Sequence, residues 1–188
     1  MTWFQEQDQH QEKAQEASGQ EVGSISQELE EIFKQDQSDR KNFQSLTAEE
    51  RRELPNRDRQ RRQRVAEIIS GGLLQTPADY YHAAMVYQHG TEPKDYLRAH
   101  ILATASAIRG DDRGKWLSAA ALDRYLNSVD QPQVFGTQYR NDGDGWTQEP
   151  FDRELIADAL RSDFSVPSVE ESASRLKEIE AMMQKNKK

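Results

Sequence analysis

The chain has no cysteine. This excludes disulfides, thiolate metal sites and a cysteine nucleophile, and it leaves the redox compartment open. No stretch approaches the roughly 20 apolar residues of a membrane span. The N-terminus lacks the apolar centre of a signal peptide, so the chain as given reads as soluble and cytoplasmic, with export after removal of a leader left open. Basic charge is not in excess: the net charge is −8 and the pI near 5.1, so no large surface for nucleic acid or anionic lipid is expected. There is no glycine-rich phosphate loop, no serine nucleophile elbow and no zinc-binding histidine pair.

What is there is polar. Hydrophobic residues make up 35% of the chain and charged residues 31%, with a mean hydropathy of −1.00. Soluble proteins carry about 25% charged residues, so part of this chain lies outside any core. Its 188 residues suit one domain with ragged ends. Residues 1–23 are dominated by Gln and Glu, cannot bury enough surface to offset their ordering entropy, and read as a disordered or fraying arm. Residues 24–183 form the single helical domain and 184–188 a frayed tail.

Helix signals follow one another through the domain. Ser24 caps a first helix with Ile25, Leu29, Ile32 and Phe33 on one face, running toward Phe43. Thr47-Ala48-Glu49-Glu50 is a capping box, and Asp58 through Ile69 carries a helix ended by Gly71-Gly72. Thr76-Pro77-Ala78-Asp79 starts a helix to His89, Glu92-Pro93 starts another to Gly110, and Asp111 or Asp112 opens a third through KWLSAAALDRYL. Their many alanines let antiparallel helices approach closely. Beyond Pro132 the rhythm changes: Val134–Tyr139 and Trp146–Gln148 flank Asn141-Asp142-Gly143-Asp144-Gly145, a turn between two β-prone stretches. Two terminal helices, Phe151–Arg161 and Ser168–Met183, complete a mainly α domain with a small β-hairpin in its C-terminal third.

Few residues offer chemistry. His82 and His89 share a helix face but lie about 10.5 Å apart along the axis, too far to ligate one metal. His82 reads as a packed histidine. His89 ends its helix before Gly90, either as a cap or as a working group beside Gln88. Asp123-Arg124 interrupts an apolar helix, so at least one of the two turns inward or the pair is exposed. As a strand, Gln133 to Gln138 would put Gln133, Phe135 and Thr137 on one side and Val134, Gly136 and Gln138 on the other. The acidic turn at 141–145 lacks the ligand spacing of a calcium loop. Seven arginines between Arg51 and Arg64, neighboured by Glu49, Glu50, Glu53 and Asp58, read as a salt-bridged helix face; a nucleic-acid patch would want interleaved aromatics.

Gln88-His89-Gly90, Asp123-Arg124 and Gln133-Val134-Phe135-Gly136-Thr137-Gln138, with Asp36-Gln37-Ser38-Asp39-Arg40 upstream, together resemble a bacterial domain family of unknown function with the pattern Q-H-[GA], D-R, Q-x-[FY]-G-T-Q. The likeness covers about residues 24–175. It implies that Gln88, His89, Asp123, Arg124, Gln133, Thr137 and Gln138 belong to one constellation. On that expectation the helix end, the Asp-Arg pair and the 133–138 strand converge on a polar pocket for hydrolysis or for binding a small molecule. His89 would be the general acid/base, Asp123 its orienting partner and Arg124 a clamp for an anionic group, while Gln88, Gln133, Thr137 and Gln138 bind the ligand. No cofactor or metal is expected. The competing expectation is an interaction module that binds a peptide or protein, in which the same groups lock the hairpin onto the helices.

Overall fold

A computed structural model describes residues 23–143 and 145–185. The expected arm at 1–22, the end of the tail at 186–188 and Asp144 of the acidic turn lie outside the described residues. Among those residues the chain is mainly helical. It runs as α1 (23–41), a 3-10 turn (Phe43–Ser45), α2 (Ala48–Ser70), α3 (Pro77–Gln88), α4 (Pro93–Ile108), α5 (Arg113–Ser128), a hairpin of β1 (Arg140–Asn141) and β2 (Trp146–Thr147), α6 (Asp158–Asp163) and α7 (Val169–Lys185). No helix among them is long and apolar enough to cross a membrane.

The starts follow from side chains that satisfy the first free N–H groups. The Thr47 hydroxyl accepts from Glu50 N at 3.2 Å while the Glu50 carboxylate accepts from Thr47 N at 2.7 Å, and Ser168 and Glu171 repeat the arrangement at α7. At α3 the returning acid is Asp79, which is buried and also accepts from Ser26 Oγ at 3.0 Å, tying α1 to the start of α3. α2 is one helix from the capping box through Pro55, longer than the Asp58–Ile69 segment expected.

α4 packs against both α3 and α5. Ala83, Ala84, Ala99, Ala103 and Ala121 are fully buried in the main core beside Leu29, Val65, Ile68, Tyr87 and Leu117. Gly114 sets the closest approach of α4 and α5, since a Cβ there would collide with the backbone at Ala103 and Ala107. A smaller cluster of Ala119, Val134, Phe135 and Val166 fastens the C-terminal third to the far side of α5.

Two expected elements differ. Residues 133–138 do not form a strand: Gln133 alone bridges to Phe151, and the paired strands lie just beyond, with Arg140 opposite Thr147 and Asn141 opposite Trp146. In an extended strand neighbouring N–H groups point to opposite sides, whereas here those of Val134, Phe135 and Thr137 meet at one carboxylate, which requires a curled loop. Gly136, at φ +62°, makes the curl. The helix expected from Phe151 begins only at Asp158, because Phe151 is buried beside Gly136 in that bridge and Asp152 turns the chain by accepting from Glu154 N and Leu155 N.

Candidate functional site

Asp123 and Arg124 both turn inward from α5. Asp123 is fully buried, and its carboxylate accepts four hydrogen bonds: from Val134 N (2.8 Å) and Phe135 N (2.9 Å) on Oδ1, and from Thr137 N and Thr137 Oγ1 (both 2.8 Å) on Oδ2. Three backbone N–H groups and one hydroxyl of that loop are thereby taken up by one acid. Gln133 spans the loop from inside: its Oε1 accepts from Gln138 N at 2.8 Å and its Nε2 donates to the carbonyls of Gln138 and Gln148. Gln148 Nε2 in turn donates to the Gly136 carbonyl. From the other side the fully buried Arg161 donates to the Phe135 carbonyl at 2.8 Å and to the Pro167 carbonyl at 2.8 Å. The loop is held between a buried acid that collects its N–H groups and a buried base that takes its carbonyl. Burial pulls the pKa of Arg161 down, opposed by the charges of Asp158 and Asp123; an arginine stays protonated nonetheless.

Arg124 links this loop to the helix end at α3. Its Nε donates to Gln138 Oε1 at 3.0 Å and its Nη1 to the Gln88 carbonyl at 2.8 Å, so Gln88 enters the network through its backbone. Gln138 Nε2 completes the link with the Ala120 carbonyl at 3.2 Å. Desolvation lowers the Arg124 pKa.

His89 has a different partner from the one expected. Its Nδ1 lies 2.8 Å from Oδ2 of Asp36 on α1, while both oxygens of Asp123 are committed to the loop. The Asp36 side chain is only 2% exposed and its other oxygen faces Arg40 at 3.3 Å. Pairing with a carboxylate makes Nδ1 the donor, so the neutral ring presents Nε2 as an acceptor. Nε2 makes no hydrogen bond to the described residues, and His89 lines a cavity of about 430 Å³ between α2 and the α3–α4 corner. A larger recess of about 910 Å³ between α6 and α7 is an open groove with Glu170, Glu171 and Glu178 on its walls and no histidine. Among the described residues no cluster of three or more His, Asp or Glu is placed to hold a metal ion.

Asp36, Gln148 and Arg161 are the residues that motif reasoning did not name as site members. Asp36 had a signal: it follows Ile25, Leu29, Ile32 and Phe33 at the next position of the same helical stripe, so a carboxylate there has to be buried. His82, with Nδ1 buried and unpaired, stacks on Phe33 with ring centroids 4.6 Å apart, as a packed histidine would. Compared with models of known protein families, with curated proteins and with solved structures, the chain matches none.

Proposed function

We propose that this protein binds a small molecule in the cavity beside the α3–α4 corner, with His89 as the side chain that meets the ligand and Asp36 as its positioning residue. The observation that carries the reading is the 2.8 Å Asp36–His89 pair, with His89 on the cavity wall, one ring nitrogen held and the other without a hydrogen bond to the described residues. A histidine whose tautomer is set by a buried acid is a pre-oriented hydrogen-bond acceptor and, toward a bound water, a general base. That same geometry supports hydrolysis as a second reading of the site.

Asp123, Arg124, Gln133, Thr137 and Gln138 serve the fold in this reading, because their polar atoms pair with one another and with the loop backbone. Their part in the site is indirect: Arg124 fixes the Gln88 carbonyl and with it the helix end that presents His89.

A fragment screen by backbone amide NMR tests the proposal. Hits should shift the amides of 54–62 and 89–91, and Asp36→Asn should weaken them. In the same variant the ¹⁵N signals of the His89 ring should show loss of the Nδ1–H tautomer, a change that general loosening of the fold does not produce. Hits confined to the α6–α7 groove, or an unaltered tautomer in Asp36→Asn, would overturn it.

A further inference from the structure

The seven arginines of α2 are not equivalent. Arg57, Arg61 and Arg64 point toward α1 and are paired with acids: Arg57 and Arg61 with Asp39, Arg61 also with Asp58 at 3.0 Å, and Arg64 with Glu28 at 2.6 Å and Glu67 at 3.0 Å. Arg51, Arg59 and Arg62 lie about a third of a turn away around the helix at roughly 100° per residue, and all three line the cavity that holds His89. Among the described residues Arg51 donates only to the carbonyls of Leu46 (3.0 Å) and Gln44 (3.4 Å), and Arg59 only to the Asn56 side chain (2.8 Å). Arg62 reaches the His89 carbonyl at 3.4 Å and forms an ion pair with the buried Asp95 at 3.7 Å, longer than a hydrogen bond.

The one acid on the cavity wall does not offset them. Asp58 is already gripped by Arg40, at 3.0 and 3.3 Å, and by Arg61. Three guanidinium groups thus converge on one concave space, two of them without a carboxylate partner among the described residues and the third held only by a long ion pair to Asp95, on a helix whose other face neutralises every arginine it turns to α1. The rest of the wall is apolar, with Phe43, Leu54 and Pro55 beneath the cations. The volume falls within the several hundred Å³ usual for small-ligand sites.

We infer that the ligand is a monoanion or dianion, a carboxylate or a phosphate ester, carried on a compact apolar body: the oxyanion meets Arg59 and Arg62, and the body lies on Phe43, Leu54 and Pro55. The planar guanidinium fork matches either oxyanion with two parallel hydrogen bonds, which neutral ligands do not reproduce. This inference rests on the cavity being the binding site, as proposed above.

The test uses benzoate, phenyl phosphate, benzamide, benzylamine and acetate as probes of the full chain, with affinities taken from amide shifts at 54–62 and 89–91. Benzoate or phenyl phosphate should bind there at least about tenfold more tightly than benzamide or acetate, a ratio corresponding to about 1.4 kcal/mol. Arg59→Gln should weaken the anions by a similar factor. Arg64→Gln removes the same charge from the opposite face and should leave the affinity unchanged. Thermal melts of both variants confirm folding, and Arg62→Gln serves in place of Arg59→Gln if the latter is not folded. Benzamide binding as tightly as benzoate, or Arg64→Gln weakening the anions as much as Arg59→Gln, overturns the anionic class and leaves the cavity site standing. Acetate matching benzoate overturns the apolar body. If no probe moves those amides while the fragment screen finds neutral hits there, the class alone is wrong; if neither finds the cavity, the site itself is refuted.

Discussion

Replacing Asp123 by asparagine removes a charge and one acceptor while keeping nearly the same shape. The amide retains one oxygen for Val134 N and Phe135 N, but its NH₂ then faces the Thr137 N–H, a donor against a donor. The Thr137 hydroxyl can rotate to accept, so one bond is lost outright and the other three lose their ionic partner. Hydrogen bonds to charged groups contribute about 1.5–3 kcal/mol each against about 0.5–1.5 for neutral ones. Losing one of the former and weakening three by about 1 kcal/mol each gives a destabilisation of about 5 kcal/mol. Arg161 loses its buried counter-charge at the same time, which adds in the same direction. For a chain of this length that corresponds to a fall in Tm of about 10–20 °C. Urea denaturation should show a lower midpoint with an unchanged slope, and amide exchange at Val134, Phe135 and Thr137 should accelerate most. A loss below about 1 kcal/mol, or exchange at those three amides no faster than elsewhere, would refute the view that this carboxylate organises the loop.

His82 is predicted to contribute a pH dependence of stability. Burial, with help from the Arg113 charge, holds its pKa below the ordinary value. The unfolded ring therefore takes up a proton first, and stability falls as the pH drops through about 6.5. His82→Phe keeps the stack on Phe33 and removes this loss, so its Tm should decline less than that of the native chain between about pH 7 and pH 5; parallel curves would show that the ring titrates alike in both states. Gly136→Ala should be more destabilising than Gly72→Ala. Both glycines have φ near +65°, at +62° and +68°, but a Cβ at Gly136 falls 2.6 Å from the Phe151 ring, whereas at Gly72 it meets nothing within 4 Å. Gly72→Ala then reads the left-handed backbone alone, about 1 kcal/mol, and equal losses in chemical denaturation would mean that the ring moves aside freely.

The helical frame is legible because its causes are local. Thr47, Thr76 and Ser168 cap their helices through partners three residues away, and the alanines of α3, α4 and α5 announce close packing from composition alone. Asp123 is marked as inward by its place among apolar neighbours. What the spacing of residues does not carry is which distant group that acid meets. Asp36 and His89 are 53 positions apart, as are Ser26 and Asp79, and no periodicity links such pairs. The segment 133–138 misleads for a related reason: its β-prone residues express a local preference, but a single carboxylate from α5 collects three of its N–H groups and bends it. The unequal roles of the α2 arginines were open to arithmetic, since 57, 61 and 64 fall on one face and 51, 59 and 62 on another. Knowing which face meets acids required the position of α1.

α1 is held in two different ways along its length. Its first half contributes Ile25 and Leu29 to the core, while its second half is fastened through Asp36, Asp39 and Arg40 to charges on α2 and to His89. Apolar burial needs no particular partner, whereas a buried charge depends on the specific groups that face it, since removing one partner leaves the other uncompensated. A charge lost from that half therefore acts first on the end of α1 that orients His89, not on the alanine-packed centre. The orientation of one histidine ring thus depends on charges set by a helix 53 positions earlier in the chain.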